Sequence, residues 1–117
     1  MLLNFSFYIN KTMAEKEFLK YLGRFRTDRI RLKILAKKGK VVSFLVQFES
    51  FINEKWRPIV QYDTAHGFPH RDVLHPNGDK EKFDLSFPDL KTVLQYAEQD
   101  ILDRWEWYKD RYIREMS

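Results

Sequence analysis

At 117 residues the chain is long enough for one domain with a real core, and its 44% apolar content excludes a disordered tail. It has no cysteine, which excludes disulfides, thiolate metal sites and cysteine nucleophiles. The net charge is only +4, yet residues 11–40 hold eleven basic and three acidic residues, a net of +8, leaving −4 for the rest. So uneven a chain suits an acidic partner, nucleic acid above all.

Residues 1–12 begin on an apolar run, Met1 to Ile9, without the basic leader and small-residue cleavage site of a secretory signal. Met13-Ala14-Glu15-Lys16 reads as a more ordinary start. Residues 1–12 are therefore expected to be an over-extended start or an added strand, and 13–117 a single domain. No apolar run reaches the roughly 20 residues of a membrane span, so no membrane partner is expected and the location is read as cytoplasmic. Eight Asn plus Gln against 32% charged residues leans towards a thermophile.

Residues 14–22 suit a short helix, with Phe18, Leu19 and Leu22 on one side and Gly23 as its stop. Residues 29–35 alternate: Ile30, Leu32 and Ile34 face one way, Arg29, Arg31 and Lys33 the other. Period two predicts a half-buried strand with a basic outer face. Lys37-Lys38-Gly39-Lys40 reads as a hairpin turn. A longer strand follows over 41–51, with Val42, Phe44, Val46 and Phe48 towards the core. After a turn at Asn53-Glu54-Lys55 comes a strand over 56–63, where Pro58 demands an edge or a bulge. Residues 70–75 and 80–85 form a last hairpin around Pro76-Asn77-Gly78-Asp79. The type I′ turn that Asn-Gly signals needs positive φ at both central residues.

A long helix closes the chain over 87–115. Ser86 and Asp89 resemble a capping box, with Pro88 in the first turn. Leu90, Leu94, Ala97, Ile101, Trp105, Tyr108 and Tyr112 mark its buried stripe. Trp107, Tyr112 and Ile113 near its end suit an overhang and a dimer contact. Asp100 and Asp103 read as a solvated face. Arg104, Lys109, Arg111 and Arg114 read as complements of the helix dipole. The expected fold is α+β: about five strands in an antiparallel meander, with a short N-terminal and a long C-terminal helix packed on one face.

All three histidines fall within ten residues, His66, His70 and His75. The string Tyr62-Asp63-Thr64-Ala65-His66-Gly67-Phe68-Pro69-His70-Arg71-Asp72 resembles the signature of a family of small archaeal and bacterial proteins. In that family a Trp-bearing strand precedes the loop and a long helix follows it; Trp56 and Trp105 fit, so the resemblance covers about residues 40–115. More loosely, the order is similar to TumE-like toxins of toxin–antitoxin modules. That similarity implies an RNA-directed toxin with an antitoxin-like protein partner. Thr64 stands where those toxins have Asn, and no adjacent pair of histidines is present.

Three readings of the loop stay open. His66, His70 and Asp72 are metal-ligand types. His66 and His70 could instead exchange protons in metal-free RNA cleavage, with Arg71 stabilising the phosphorane and Asp63 or Asp72 fixing a tautomer. Or the loop is structural, its side chains bonding backbone left unpaired by the turn.

Arg29, Arg31 and Lys33, with Lys37 and Lys38 at the strand's end, are the candidate phosphate contacts. Their alternative is a solvated strand face guarded by charge. Four glycines and no phosphate-cradling motif exclude a nucleotide loop, and no cofactor is expected. Two functions follow from these residues. One is a small RNA-directed, toxin-like module, a metal-independent ribonuclease with His66, His70, Arg71 and Asp63 as its site. The other is a non-enzymatic binding or assembly protein that dimerises through the long helix or a sheet edge.

Overall fold

The computed structural model describes residues 12–64 and 68–117, with the backbone course of residues 2–8. Seven strands run in chain order: β1 (Leu2–Tyr8), β2 (Met13–Tyr21), β3 (Asp28–Lys37), β4 (Lys40–Ile52), β5 (Lys55–Asp63), β6 (His70–Leu74) and β7 (Lys80–Asp84). One helix, α1 (Leu90–Glu115), follows them. Every neighbouring pair is antiparallel and the sheet order is the chain order. The α+β class and the meander stand, with seven strands in place of about five.

The expected helix over 14–22 is instead strand β2. Ala14, Glu15, Lys16, Glu17 and Leu19 favour a helix, but only by tenths of a kcal/mol each. Pairing decides the matter. Met13–Tyr21 is in register with Lys37–Arg29 of β3, and Arg31 donates to Glu17 across the pair. Gly23 does adopt a positive φ of +69°, but in the β2–β3 connection and not at a helix end.

The tight turns follow their sequences. Lys38 and Gly39 link β3 to β4, and Asn53 and Glu54 link β4 to β5; all four have positive φ, as two-residue hairpins require. The β6–β7 turn departs from the type I′ expectation, because Gly78 has positive φ there and Asn77 does not. Gly78 N–H donates to the His75 carbonyl at 2.9 Å, and His75 N–H to that of Asp79 at 2.9 Å. Pro58 sits at the one register shift between β4 and β5, where its missing N–H breaks no ladder.

The helix starts later than expected. Asp89, not Ser86, is the cap, its Oδ1 accepting from the Thr92 N–H at 2.7 Å, and Pro88 lies before the helix. That hydrogen bond holds the Asp89 carboxyl below the usual range. From there α1 lays Val93, Ala97, Ile101, Tyr108 and Tyr112 over β4 and β5. Phe44, Val46, Phe48, Val60 and Tyr62 meet it from the sheet. Tyr112 is part of this core, whereas Trp107 and Ile113 are exposed.

Alternation sends the neighbours of these residues to the other face, which no helix covers among the described residues. The late basic residues do more than complement a dipole. Lys109 Nζ lies 2.9 Å from Asp28 Oδ1, and Arg111 Nη2 donates to the Leu74 carbonyl. No helix among the described residues is long and apolar enough to cross a membrane.

Candidate functional site

The five central strands divide the predicted site residues between two faces. Asp63 pairs with His70, and Gln61 with Asp72, on the face away from α1. There His70 is buried, with Nε2 at 3.6 Å from both Asp63 Oδ1 and Asp72 Oδ2. Its Nδ1 lies 3.2 Å from the Phe68 carbonyl, which only accepts, so Nδ1 carries a proton. His70 thus ties the end of β5 to the turn that leads into β6. Thr64 does similar work: its Oγ1 accepts from the Phe44 N–H at 3.0 Å.

Arg71, one residue on, points to the helix face and lies over the Phe83 ring at 4.8 Å. The structure therefore brings His70 together with Asp63 and Asp72 and puts Arg71 on the other side of the sheet. His66 lies outside the described residues. Among the described residues no group of three or more His, Asp or Glu side chains is arranged to hold a metal.

The basic residues of β3 lie on the same face as His70, with β4 and β5 between them. Its charge is largely engaged. Glu49 Oε1 accepts from Arg29 Nε at 2.7 Å and its Oε2 from Arg31 Nε at 3.0 Å, while Arg31 also pairs with Glu17. Burial alone would push the Glu49 carboxyl up; the hydrogen bonds from Arg29 and Arg31 outweigh it and hold the group low. Burial likewise works against the Arg31 charge, and Glu49 and Glu17 more than restore it. Lys33 lines a shallow depression with Asp63 and Leu45. Lys37 and Lys38 are exposed at the far hairpin, at the opposite end of β3 from Arg29.

At that Arg29 end the same face carries a platform. The Arg29 guanidinium lies 3.6 Å from the centre of the Trp56 ring. Phe51 meets Trp56 edge-on at 5.4 Å, Tyr21 lies 6.5 Å away, and Arg26 covers Tyr21 at 5.2 Å. Register explains the gathering, since Tyr21 opposes Arg29 and Phe51 opposes Trp56. Phe25 in the adjoining turn is 79% exposed, between the exposed Arg24 and Arg26.

The helix face holds a second constellation that the sequence reading missed. Tyr62 and Tyr108 each donate to Asp100 Oδ2 at 2.6 Å, and Arg104 Nε lies 3.6 Å from Oδ1. Asp100 is buried, which corrects its reading as a solvated partner of Asp103. Burial, then the bond to Asp100, push the Tyr62 hydroxyl well above its usual range and that of Tyr108 up to about 12. Both therefore stay neutral donors. Burial opposes the Arg71 charge, but its hydrogen bond to Tyr62 raises its pKa overall. The available signal was position: Asp100 falls between Ala97 and Ile101, on the buried stripe.

His75 stands on this face too, its Nδ1 2.8 Å from Glu115 Oε2 and its Nε2 2.9 Å from Glu81 Oε1. The bond to Glu115 is the main cause of its raised pKa.

Neither the curated proteins nor the solved structures gave a match to the chain. A family model does match, over residues 13–117, and it is described as a domain of unknown function, DUF7718. That span carries the platform, the buried His70 and the Asp100 constellation alike, and it makes the chain a member of the DUF7718 family.

Proposed function

We propose that this chain is a non-enzymatic module that binds single-stranded RNA on the sheet face away from α1. The observation that carries the reading is the platform in which Arg29 stacks 3.6 Å over Trp56 beside Phe51 and Tyr21. Flat rings stack unpaired bases of any sequence, at roughly 1–3 kcal/mol per base; Phe51 is 43% exposed on this face, while Arg29, 11% exposed, braces the Trp56 ring. Arg24 and Arg26 in the adjoining turn supply cations for the phosphates. The division of His70 and Arg71 between two faces favours binding over cleavage, with His70 in a structural role.

Retention of a labelled, mixed-sequence single-stranded RNA, followed by anisotropy, tests this. Phe51→Ala and Trp56→Ala are each expected to weaken retention about tenfold, and added salt to weaken it further. The labelled strand is expected to stay intact with wild type and with the His66→Ala/His70→Ala variant. Cleavage by the wild type that this variant abolishes would overturn the non-enzymatic reading. Absence of retention at low salt would remove RNA as the ligand.

A further inference from the structure

On the other side of the sheet a cleft of about 320 Å³ lies between β6, β7 and the second half of α1. Its volume is at the lower end of small-ligand sites. Three guanidinium groups line it, those of Arg71, Arg104 and Arg111. Arg71 Nε and Arg111 Nε are the two side-chain polar atoms among the described residues that are buried without a hydrogen-bond partner, and both belong to this cleft. An unsatisfied buried donor is costly, and here both belong to side chains that line one cleft.

Both arginines are held from behind. Arg111 Nη2 donates to the Leu74 carbonyl at 3.4 Å, and Arg71 rests on Phe83. They are fixed forks, the geometry that suits phosphate oxygens. Carboxylates also border the cleft: His75 lies between Glu81 and Glu115 and engages both through its two ring nitrogens, and Arg111 Nη1 lies 3.6 Å from Glu115 Oε1. Asp100 is taken up by Tyr62, Tyr108 and Arg104. At the mouth stand two flat apolar surfaces, Trp107 at 56% exposure and Phe83 at 40%. A helix exposing Trp107 beside three arginines offers a stacking surface next to an anion site.

We infer that this cleft binds a nucleoside 5′-monophosphate, with its phosphate between Arg71, Arg104 and Arg111 and its base against Trp107. The site is separate from the RNA platform, on the opposite face of the sheet, and does not depend on it.

Titration with 5′-AMP, adenosine and inorganic phosphate, followed by tryptophan fluorescence and calorimetry, tests the inference. AMP is expected to bind at least about tenfold more tightly than either fragment. Arg111→Gln, Arg104→Gln and Trp107→Ala should each weaken AMP about tenfold, while Trp56→Ala leaves it unchanged. Arg104 and Trp107 are largely exposed, so their variants keep the test alive if Arg111→Gln fails to fold. Adenosine equal to AMP removes the phosphate site. Inorganic phosphate equal to AMP removes the nucleotide. Loss of AMP binding on Trp56→Ala, with Arg104→Gln unaffected, moves the ligand to the other face.

Discussion

His70 and Arg71 are adjacent on β6 and serve opposite faces of one sheet. His70 sits between Asp63 and Asp72, and Arg71 lies over Phe83 beside the helix. A strand alternates its side chains, so two neighbours cannot converge on one phosphate without breaking the pairing that holds β5 to β6. The same alternation creates two chemically distinct surfaces from one run of residues.

Asp100 is the keystone of the helix face. Removing it as Asp100→Ala strands two buried hydroxyls and takes the carboxylate from Arg104, and is expected to cost about 3–5 kcal/mol in urea unfolding. Tyr62→Phe and Tyr108→Phe should each cost about 1–2 kcal/mol. Because both hydroxyls share Asp100 Oδ2, the double variant should depart from the sum of the two. Strict additivity would show that they act independently.

Glu49 holds two guanidiniums on the opposite face. Glu49→Ala should destabilise by about 2–4 kcal/mol, since Arg29 and Arg31 lose their shared partner. Its folded-state pKa is depressed, so its contribution is complete above the unfolded value and fades as pH falls through the folded one. An acid titration of stability should therefore be flatter in the variant than in the wild type.

Gly23 combines a positive φ with a close neighbour, as a Cβ there would meet the Trp105 ring at 3.1 Å. Gly23→Ala should cost about 1–2 kcal/mol from the backbone alone, with any shift of Trp105 added to it. A melting temperature equal to wild type would show that the β2–β3 connection relaxes freely.

His75 has the opposite sign to Glu49. Its folded-state pKa is raised, chiefly by Glu115, so its contribution is full below about pH 6.5, the unfolded value, and is lost as pH rises through the folded one. Melting temperature measured from roughly pH 6 to 9 should include a decline that His75→Ala removes. Identical profiles in the two proteins would sink this assignment.

The sequence made the five strands β3 to β7 legible because each shows period-two alternation or a turn of fixed chemistry. Lys38-Gly39 and Asn53-Glu54 turned where expected, and Pro58 marked its register shift. Strand β2 was hidden because Glu15, Lys16 and Glu17 favour a helix locally. Only Arg31, ten or more residues away, reveals what Glu17 pairs with. The site was harder for the same reason. Histidines crowded in sequence drew attention to one loop, yet alternation parted Arg71 from His70. The partners of Arg71, at Tyr62, Tyr108 and Asp100, lie on elements that only folding brings together.

The sheet order that equals the chain order also sets the order in which this protein can be made. Each strand finds its partner in the one synthesised just before it, so pairing can follow the emerging chain without waiting for a distant segment. The cover of the apolar face comes last. Until α1 leaves the ribosome, Phe44, Val46, Phe48 and Val60 have no helix over them, and the Tyr62 hydroxyl lacks Asp100. Without α1 the paired sheet would keep one bare oily side, and docking of the 26-residue helix closes it.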